Sequence, residues 1–184
     1  MSTVSVCIPT YNCARYVGHA IQSILDQTLS DFEFIVIDNC STDGTAAIIE
    51  AFQSSRIRYI RNETNIGMVR NWNKCIEASS GDYIIIFHAD DYADPYLIEN
   101  EKGILDENPH VGFVHTRAHV VDENDKPLFF HEPYVKDHMI DGVKTFKDLL
   151  LANIYLAPTV MARKECYEKV GTFDTSFAFA CDST

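Results

Sequence analysis

Three short polar clusters stand out in this chain because each follows an apolar, β-branched run. They are Pro9-Thr10-Tyr11-Asn12 after Val4 to Ile8, Asp38-Asn39 after Phe32 to Ile37, and Asp90-Asp91 after Tyr83 to Phe87. If those runs are parallel strands, all three clusters lie outside strand carboxyl ends, where open α/β sheets bind ligands. The shared location is the signal. Taken singly, Pro-Thr-Tyr-Asn reads as a turn, and an Asp after a strand reads as the cap of the next helix.

Asp90-Asp91 points to the most specific chemistry, because adjacent carboxylates repel one another unless a cation or donor groups neutralise them. Mg²⁺ or Mn²⁺ is the economical answer: either takes one or two protein carboxylates and completes its shell with water and phosphate oxygens. A solvated Asp-Asp turn ahead of a helix near Pro95 accounts for the same residues. His88 is a candidate third ligand, and reads equally as a half-buried, hydrogen-bonded histidine.

Other chemistries are excluded. No GxGxxG follows the first run and no GxxxxGK[ST] occurs, so neither a dinucleotide fingerprint nor a Walker loop is present. Asp38 to Gly44 has the outline of a calcium loop, but its glycine is one position late and Ile49 stands where the bidentate Glu belongs. There is no GxSxG elbow. The six cysteines, Cys7, Cys13, Cys40, Cys75, Cys166 and Cys181, form no CxxC pair, which argues for free thiols in a reducing compartment and leaves any metal to oxygen ligands.

The elements that must position these groups alternate. Val4 to Ile8 predicts a strand, and Val17, Ile21, Ile24 and Leu25 recur at helical spacing up to Leu29. Phe32 to Ile37 is a second strand, Ser41-Thr42-Asp43-Gly44 a turn with capping oxygens, and Ala46 to Phe52 a helix. Ile57 to Ile60, the helical Met68 to Ala78 and the strand Tyr83 to Phe87 continue the series, which implies a largely parallel sheet covered on both faces. Beyond Pro95 the pattern predicts a helix to Asn108, a strand over Val111 to Val121 and a turn at Asn124 to Pro127 before Leu128 to Phe130. It then predicts a surface loop over His131 to Gly142, and short helices at Thr145 to Ala152 and Lys164 to Val170 around an extended Tyr155 to Ala162.

With 184 residues at about 150 per domain, the chain is expected to form one domain. Its 15 Lys+Arg against 27 Asp+Glu give a net charge of −12, which repels nucleic acid and anionic lipid and disfavours a nucleic-acid partner. The N-terminus has no basic segment and no long apolar segment, so a cytoplasmic protein is expected. Peripheral contact at the inner face of the cell membrane is left open.

Together, the order VSVCIPTYN, FEFIVIDNCSTDGT, NETNIGMVRNWNKCIEASSGDYIIIFHADD, then VGTFD followed by ACD, closely resembles the family 2 glycosyltransferases of the GT-A fold. The match covers nearly the whole chain. It implies a Rossmann-like three-layer α/β/α sandwich with a mostly parallel, mixed sheet. It further implies one domain over 1–184, with a nucleotide-binding half at 1–91 and an acceptor-side half at 92–184, incomplete at its C-terminus.

The resemblance also implies roles. Pro9, Thr10, Tyr11 and Asn12 lie where the family holds base and ribose, Tyr11 offering a face for stacking. Asp38-Asn39 replaces a frequent Asp-Asp, so Asn39 would accept an imide proton through its amide oxygen rather than a carboxylate. Asp90 matches the carboxylate facing sugar or ribose hydroxyls and Asp91 the metal ligand. Arg70 is placed to contact phosphate or sugar, and fits a helix-surface ion pair as well. Asn71, Trp72 and Asn73 are expected to hold their helix to the sheet.

Asp182 occupies the place of the catalytic base, after Val170-Gly171-Thr172-Phe173-Asp174, with Cys181 where relatives often carry Glu. The implied activity is metal-dependent, inverting transfer from a nucleotide sugar, UDP-sugar foremost, to a saccharide or lipid-linked acceptor in surface polysaccharide synthesis. A nucleotide-sugar-binding module without turnover is the alternative. A sugar-phosphate nucleotidyltransferase fits less well, because the first turn lacks the glycines and basic residues that cradle a triphosphate.

Overall fold

The computed structural model describes residues 3–132, 134, 139–143 and 155–176. The opening run forms strand β1 (Val4–Thr10), every residue of it buried, which requires a packed layer on each face. Chain order continues α1 (Val17–Leu25), β2 (Glu33–Asp38), α2 (Thr45–Ala51), β3 (Ile57–Arg61), α3 (Met68–Ala78), β4 (Tyr83–Ile86) and α4 (Leu97–Glu107). Then come β5 (Phe113–His115), β6 (Ala118–Val121), β7 (Pro127–His131), a 3-10 turn (Ala157–Thr159), β8 (Val160–Arg163) and α5 (Lys164–Val170).

Six strands pair in the order β3-β2-β1-β4-β8-β5. Pairs β1–β2, β1–β4 and β2–β3 are parallel, and β8 runs antiparallel to both of its neighbours. The sheet is therefore mixed but mostly parallel, as expected. Side-chain alternation along the strands builds the layers. Val4, Val6 and Ile8 pack with Ile21 and Ile24 of α1 and Ile98 and Leu105 of α4. Cys7, Ile35, Ile37, Ile84 and Ile86 pack on the other face with Trp72, Cys75 and Ile76 of α3. Truncating any of these isoleucines to Ala removes about 2–5 kcal/mol of stability.

The chain first winds outward from β1 through β2 to β3, and α3 then brings it back so that β4 pairs on the other side of β1. This reversal puts the ends of β1, β2 and β4 around one crevice, the position where doubly wound sheets bind ligands. Glu101 departs from the usual core pattern. It shares the stripe of α4 with Ile98 and Leu105, it is fully buried, and neither carboxyl oxygen has a hydrogen-bond partner among the described residues. Burial pushes its carboxyl well above the carboxylate range.

Two predicted elements differ. The single strand expected over Val111 to Val121 is two strands, β5 and β6. Thr116 N–H still bonds to Thr159 O, but after Arg117 the chain leaves the main sheet and pairs with β7. The segment Tyr155 to Ala162 is not extended throughout, because Pro158 sits at the start of the 3-10 turn. The predicted helix over Thr145 to Ala152 and part of the loop over His131 to Gly142 lie outside the described residues, and His131 itself ends β7.

Candidate functional site

The first loop is braced from below by the segment expected to cap α2. Asn12, with φ of 49°, donates its N–H to Ser41 Oγ at 2.9 Å and accepts Thr42 N–H at 2.8 Å on Oδ1. Cys13 N–H reaches Thr45 Oγ1 and Ala14 N–H reaches Asp43 Oδ2, while Asp43 Oδ1 also accepts Thr45 N–H. The Thr45 hydroxyl and these backbone donors hold the Asp43 carboxyl below its ordinary range. Pro9 is spent in the strand, opposite Ile37. What the loop presents is Tyr11, 47% exposed, above Thr10, whose buried hydroxyl has no partner among the described residues. A buried hydroxyl left unpaired costs about 1–3 kcal/mol, so Thr10 is suited to a bound polar group.

Asp38 and Asn39 behave differently from the expectation that both face a donor. Asp38 is fully buried: Oδ1 accepts Ser41 N–H, while Oδ2 accepts the Tyr59 hydroxyl at 3.0 Å and lies 3.3 Å from Arg61 Nε. Asn39 is also buried, and its amide oxygen accepts both Asn62 Nδ2 and Ile66 N–H. The lone pairs expected to receive an imide proton are thus taken up within the fold, and these two residues build the wall of the crevice.

The acidic corner follows β4. Phe87 N–H extends the pairing to Cys7 O, after which His88, Asp90 and Asp91 bring one ligand atom each to within 4.8 Å of one another. His88 Nδ1 is 3.7 Å from Asp91 Oδ2, and its ring lies against Trp72 at 5.2 Å between centroids. An octahedral hard cation sets neighbouring ligands about 3 Å apart and opposite ones about 4 Å apart, so this group fits Mg²⁺ or Mn²⁺ with small adjustments. His88, expected either as a ligand or as a hydrogen-bonded histidine, has a buried Nε2 without a partner among the described residues and directs Nδ1 towards Asp91. The acidic corner adjoins the first loop: burial pushes the Cys13 thiol up to about 11, with the charges of Asp90 and Asp43 adding to the effect.

Helix α3 supplies the third wall. Arg70, in its first turn, is exposed and has no carboxylate partner among the described residues, so the ion-pair reading of Arg70 gains no support. Asn71 Nδ2 donates to Ile37 O and Trp72 is buried, so both hold the helix to the sheet as expected. Asn73 does not; it bonds to Phe173 in the Val170 to Asp174 turn. Asp182 lies outside the described residues. Sequence reasoning gave no role to Asn62, Lys74 or Glu101. For Glu101 the signal was its spacing between Ile98 and Leu105 on one helical stripe.

A switch-point crevice, an exposed aromatic ring, an orphan threonine hydroxyl and a cation-sized acidic corner stand together at the end of the sheet where doubly wound α/β domains take their ligands. Comparison with known proteins sharpens this: the family model Glycosyl transferase family 2 matches residues 5–171, and the chain belongs to that family. It is 37% identical over 123 residues to the putative glycosyltransferase EpsE of Bacillus subtilis, covering 65% of this chain and 44% of that protein. It is 30% identical to the putative teichuronic acid biosynthesis glycosyltransferase TuaG of the same organism, covering 88% of this chain and 62% of that protein.

Among solved structures, S. aureus TarS 1-349 in complex with UDP superposes with a TM-score of 0.73 at 23% identity, covering 97% of this chain and 52% of that one. The mannosyltransferase PcManGT from Pyrobaculum calidifontis, in complex with GDP-Man and Mn²⁺, gives 0.68 at 20% identity, covering 95% and 48%. These likenesses establish the GT-A fold. The chain spans about half the length of the relatives it matches. Among the described residues no helix is long and apolar enough to cross a membrane.

Proposed function

We propose that this chain binds a nucleoside-diphosphate sugar in the switch-point crevice and passes the sugar, with inversion, to a hydroxyl acceptor. The observation that carries this reading is the gathering of His88, Asp90 and Asp91 within 4.8 Å, next to the loop that presents Thr10 and Tyr11. Tyr11 stacks on the base, Thr10 donates to or accepts from base or ribose, and Arg70 meets the diphosphate. Asp90 faces ribose or sugar hydroxyls, and Asp91 with His88 holds Mn²⁺ or Mg²⁺. When bound, such an ion supplies charge stabilisation at the departing phosphate. Asp182 takes the acceptor hydroxyl's proton as its oxygen bonds to the anomeric carbon and the bond from that carbon to the diphosphate oxygen breaks. The UDP complex of TarS supports a UDP-sugar donor, beside the GDP-Man complex of PcManGT, and the teichuronic acid role in the name of TuaG supports cell-surface polysaccharide synthesis; the acceptor on this reading is a saccharide or a lipid-linked one. On this reading the chain works in the cytoplasm, at the inner face of the membrane where such acceptors are made.

The test is a thermal-shift screen of UDP, dTDP, GDP and CDP with and without Mn²⁺, followed by a donor-turnover assay, since a ligand that binds only the folded state raises its Tm. Stabilisation by one nucleotide that depends on Mn²⁺ is the expected result. Stabilisation without turnover would reduce the proposal to a binding module, and no stabilisation by any nucleotide would overturn it.

A further inference from the structure

Four asparagines and a lysine form a continuous hydrogen-bonded ladder from α3 to the exposed loop after β3. Lys74 Nζ donates to Asn62 Oδ1 at 2.5 Å, and Asn62 Nδ2 donates to Asn39 Oδ1 at 3.0 Å and to Asn71 Oδ1 at 2.9 Å. Asn39 Nδ2 in turn donates to Asn65 Oδ1 at 2.8 Å. Asn39, Asn62 and Asn71 are buried, and Asn39 N–H bonds to Thr10 O, which joins the ladder to the strand end below Tyr11.

An amide can ordinarily turn over, exchanging donor for acceptor. Here groups that only donate forbid it at three points. The Lys74 ammonium requires the Asn62 oxygen, so Asn62 turns its NH₂ towards Asn39. Ile66 N–H requires the same Asn39 oxygen, so Asn39 turns its NH₂ towards Asn65. Gly67 N–H, fixed by a backbone at φ of 85° that favours glycine, requires the Asn65 oxygen at 2.8 Å. Both lone pairs of that oxygen are then used, and Asn65, an exposed residue, keeps its Nδ2 hydrogens for a ligand.

We infer that Lys74 sets the polarity of the base-reading wall, so that Asn65 offers a hydrogen-bond donor and the nucleobase is read through an accepting atom, a carbonyl oxygen or unprotonated ring nitrogen, not through an imide N–H. This rests on the donor-binding reading above. A carboxylate at position 39 has no hydrogen to give, so Asn65 would have to turn its NH₂ inward and present its oxygen instead. Lys74 is a positioning residue, and Asn65 is the contact.

Calorimetry on the full chain with Mn²⁺, using UDP, CDP, GDP and base-free ribose 5-diphosphate, tests the inference. The wild type should bind at least one nucleoside diphosphate about tenfold or more tightly than ribose 5-diphosphate. Asn65→Asp should shrink that increment about tenfold, leaving only the part due to stacking on Tyr11, with the base-free affinity within about twofold. Lys74→Met should narrow the spread among the three nucleotides, and Lys74→Arg should restore it. Should Lys74→Met fail to fold, Asn65→Asp, at an exposed position, still decides the matter. An increment that Asn65→Asp leaves undiminished, or its absence in the wild type, overturns the inference and leaves the donor site standing. Absence of all four binding isotherms overturns both.

Discussion

Asn73 and Phe173, 100 residues apart in the chain, exchange two hydrogen bonds: Asn73 Nδ2 donates to Phe173 O at 2.8 Å, and Phe173 N–H donates to Asn73 Oδ1 at 2.9 Å. The Phe173 ring also meets Trp72 edge-on, at 5.5 Å between centroids. One side chain therefore ties α3 to the turn whose chain continues towards Asp182. Asn73→Ala leaves both backbone groups of Phe173 without these partners. It should cost about 1–3 kcal/mol in urea unfolding. If the turn delivers the catalytic base, turnover should fall while UDP affinity is kept, and an unchanged turnover number would dissociate the clamp from catalysis.

On the proposed reading, Asp91→Asn replaces a charged metal ligand with a neutral one. Mn²⁺ affinity, read from paramagnetic resonance of the free ion, should drop about tenfold or more, since contacts to charged groups are worth about 1.5–3 kcal/mol. Donor affinity should fall with it in Mn²⁺ but be unchanged in EDTA. Equal loss in both conditions would mean that Asp91 acts without a cation.

Arg70 has no ion pair to lose among the described residues, so Arg70→Ala should leave Tm unchanged within the scatter of surface substitutions, about 0.5 kcal/mol. A phosphate contact predicts a donor KM raised about tenfold to a hundredfold. An unaltered KM would return Arg70 to the solvent-facing side of its helix.

Asp182→Asn should lower turnover by about 10²–10⁴-fold, the range of a general base, with calorimetric donor affinity unchanged. Full activity in this variant would move the base elsewhere.

Glu101 gives a pH signature. Its buried carboxyl keeps a proton above the ordinary value of 4.5, where the unfolded chain has lost it. Its contribution to stability is therefore complete below about pH 4.5 and declines as pH rises towards the raised folded-state value. Glu101→Gln cannot ionise, so its Tm should gain on the wild type between pH 4.5 and pH 8. Parallel Tm curves would show that Glu101 has found a partner for its charge.

The sequence made the frame readable because β1, β2 and β4 are buried on both faces and so appear as unbroken apolar runs, with Met68 to Ala78 showing helical spacing between them. The acidic corner was readable as a candidate because adjacent carboxylates repel unless neutralised, but a solvated turn fitted Asp90 and Asp91 equally, and only the fold brings His88 beside them. The inward turn of Asp38 and Asn39 was not readable. It depends on Tyr59, Arg61, Asn62 and Ile66, which belong to the next strand and its loop and meet them only once β3 is docked. The departure from the main sheet after Arg117 escaped for the opposite reason, since Val111 to Val121 is continuously strand-like and only the competing partner β7 draws its second half away.

The reversed strand β8 has a consequence during synthesis. Tyr83 of β4 pairs with Arg163, 80 residues further along, so that side of β4 has no neighbour until the ribosome has added the whole intervening stretch. At about 5–20 residues per second this leaves a bare, isoleucine-rich margin open for about 4–16 s in every nascent molecule. That interval, not the finished sheet, is when this margin is most open to pairing with another chain.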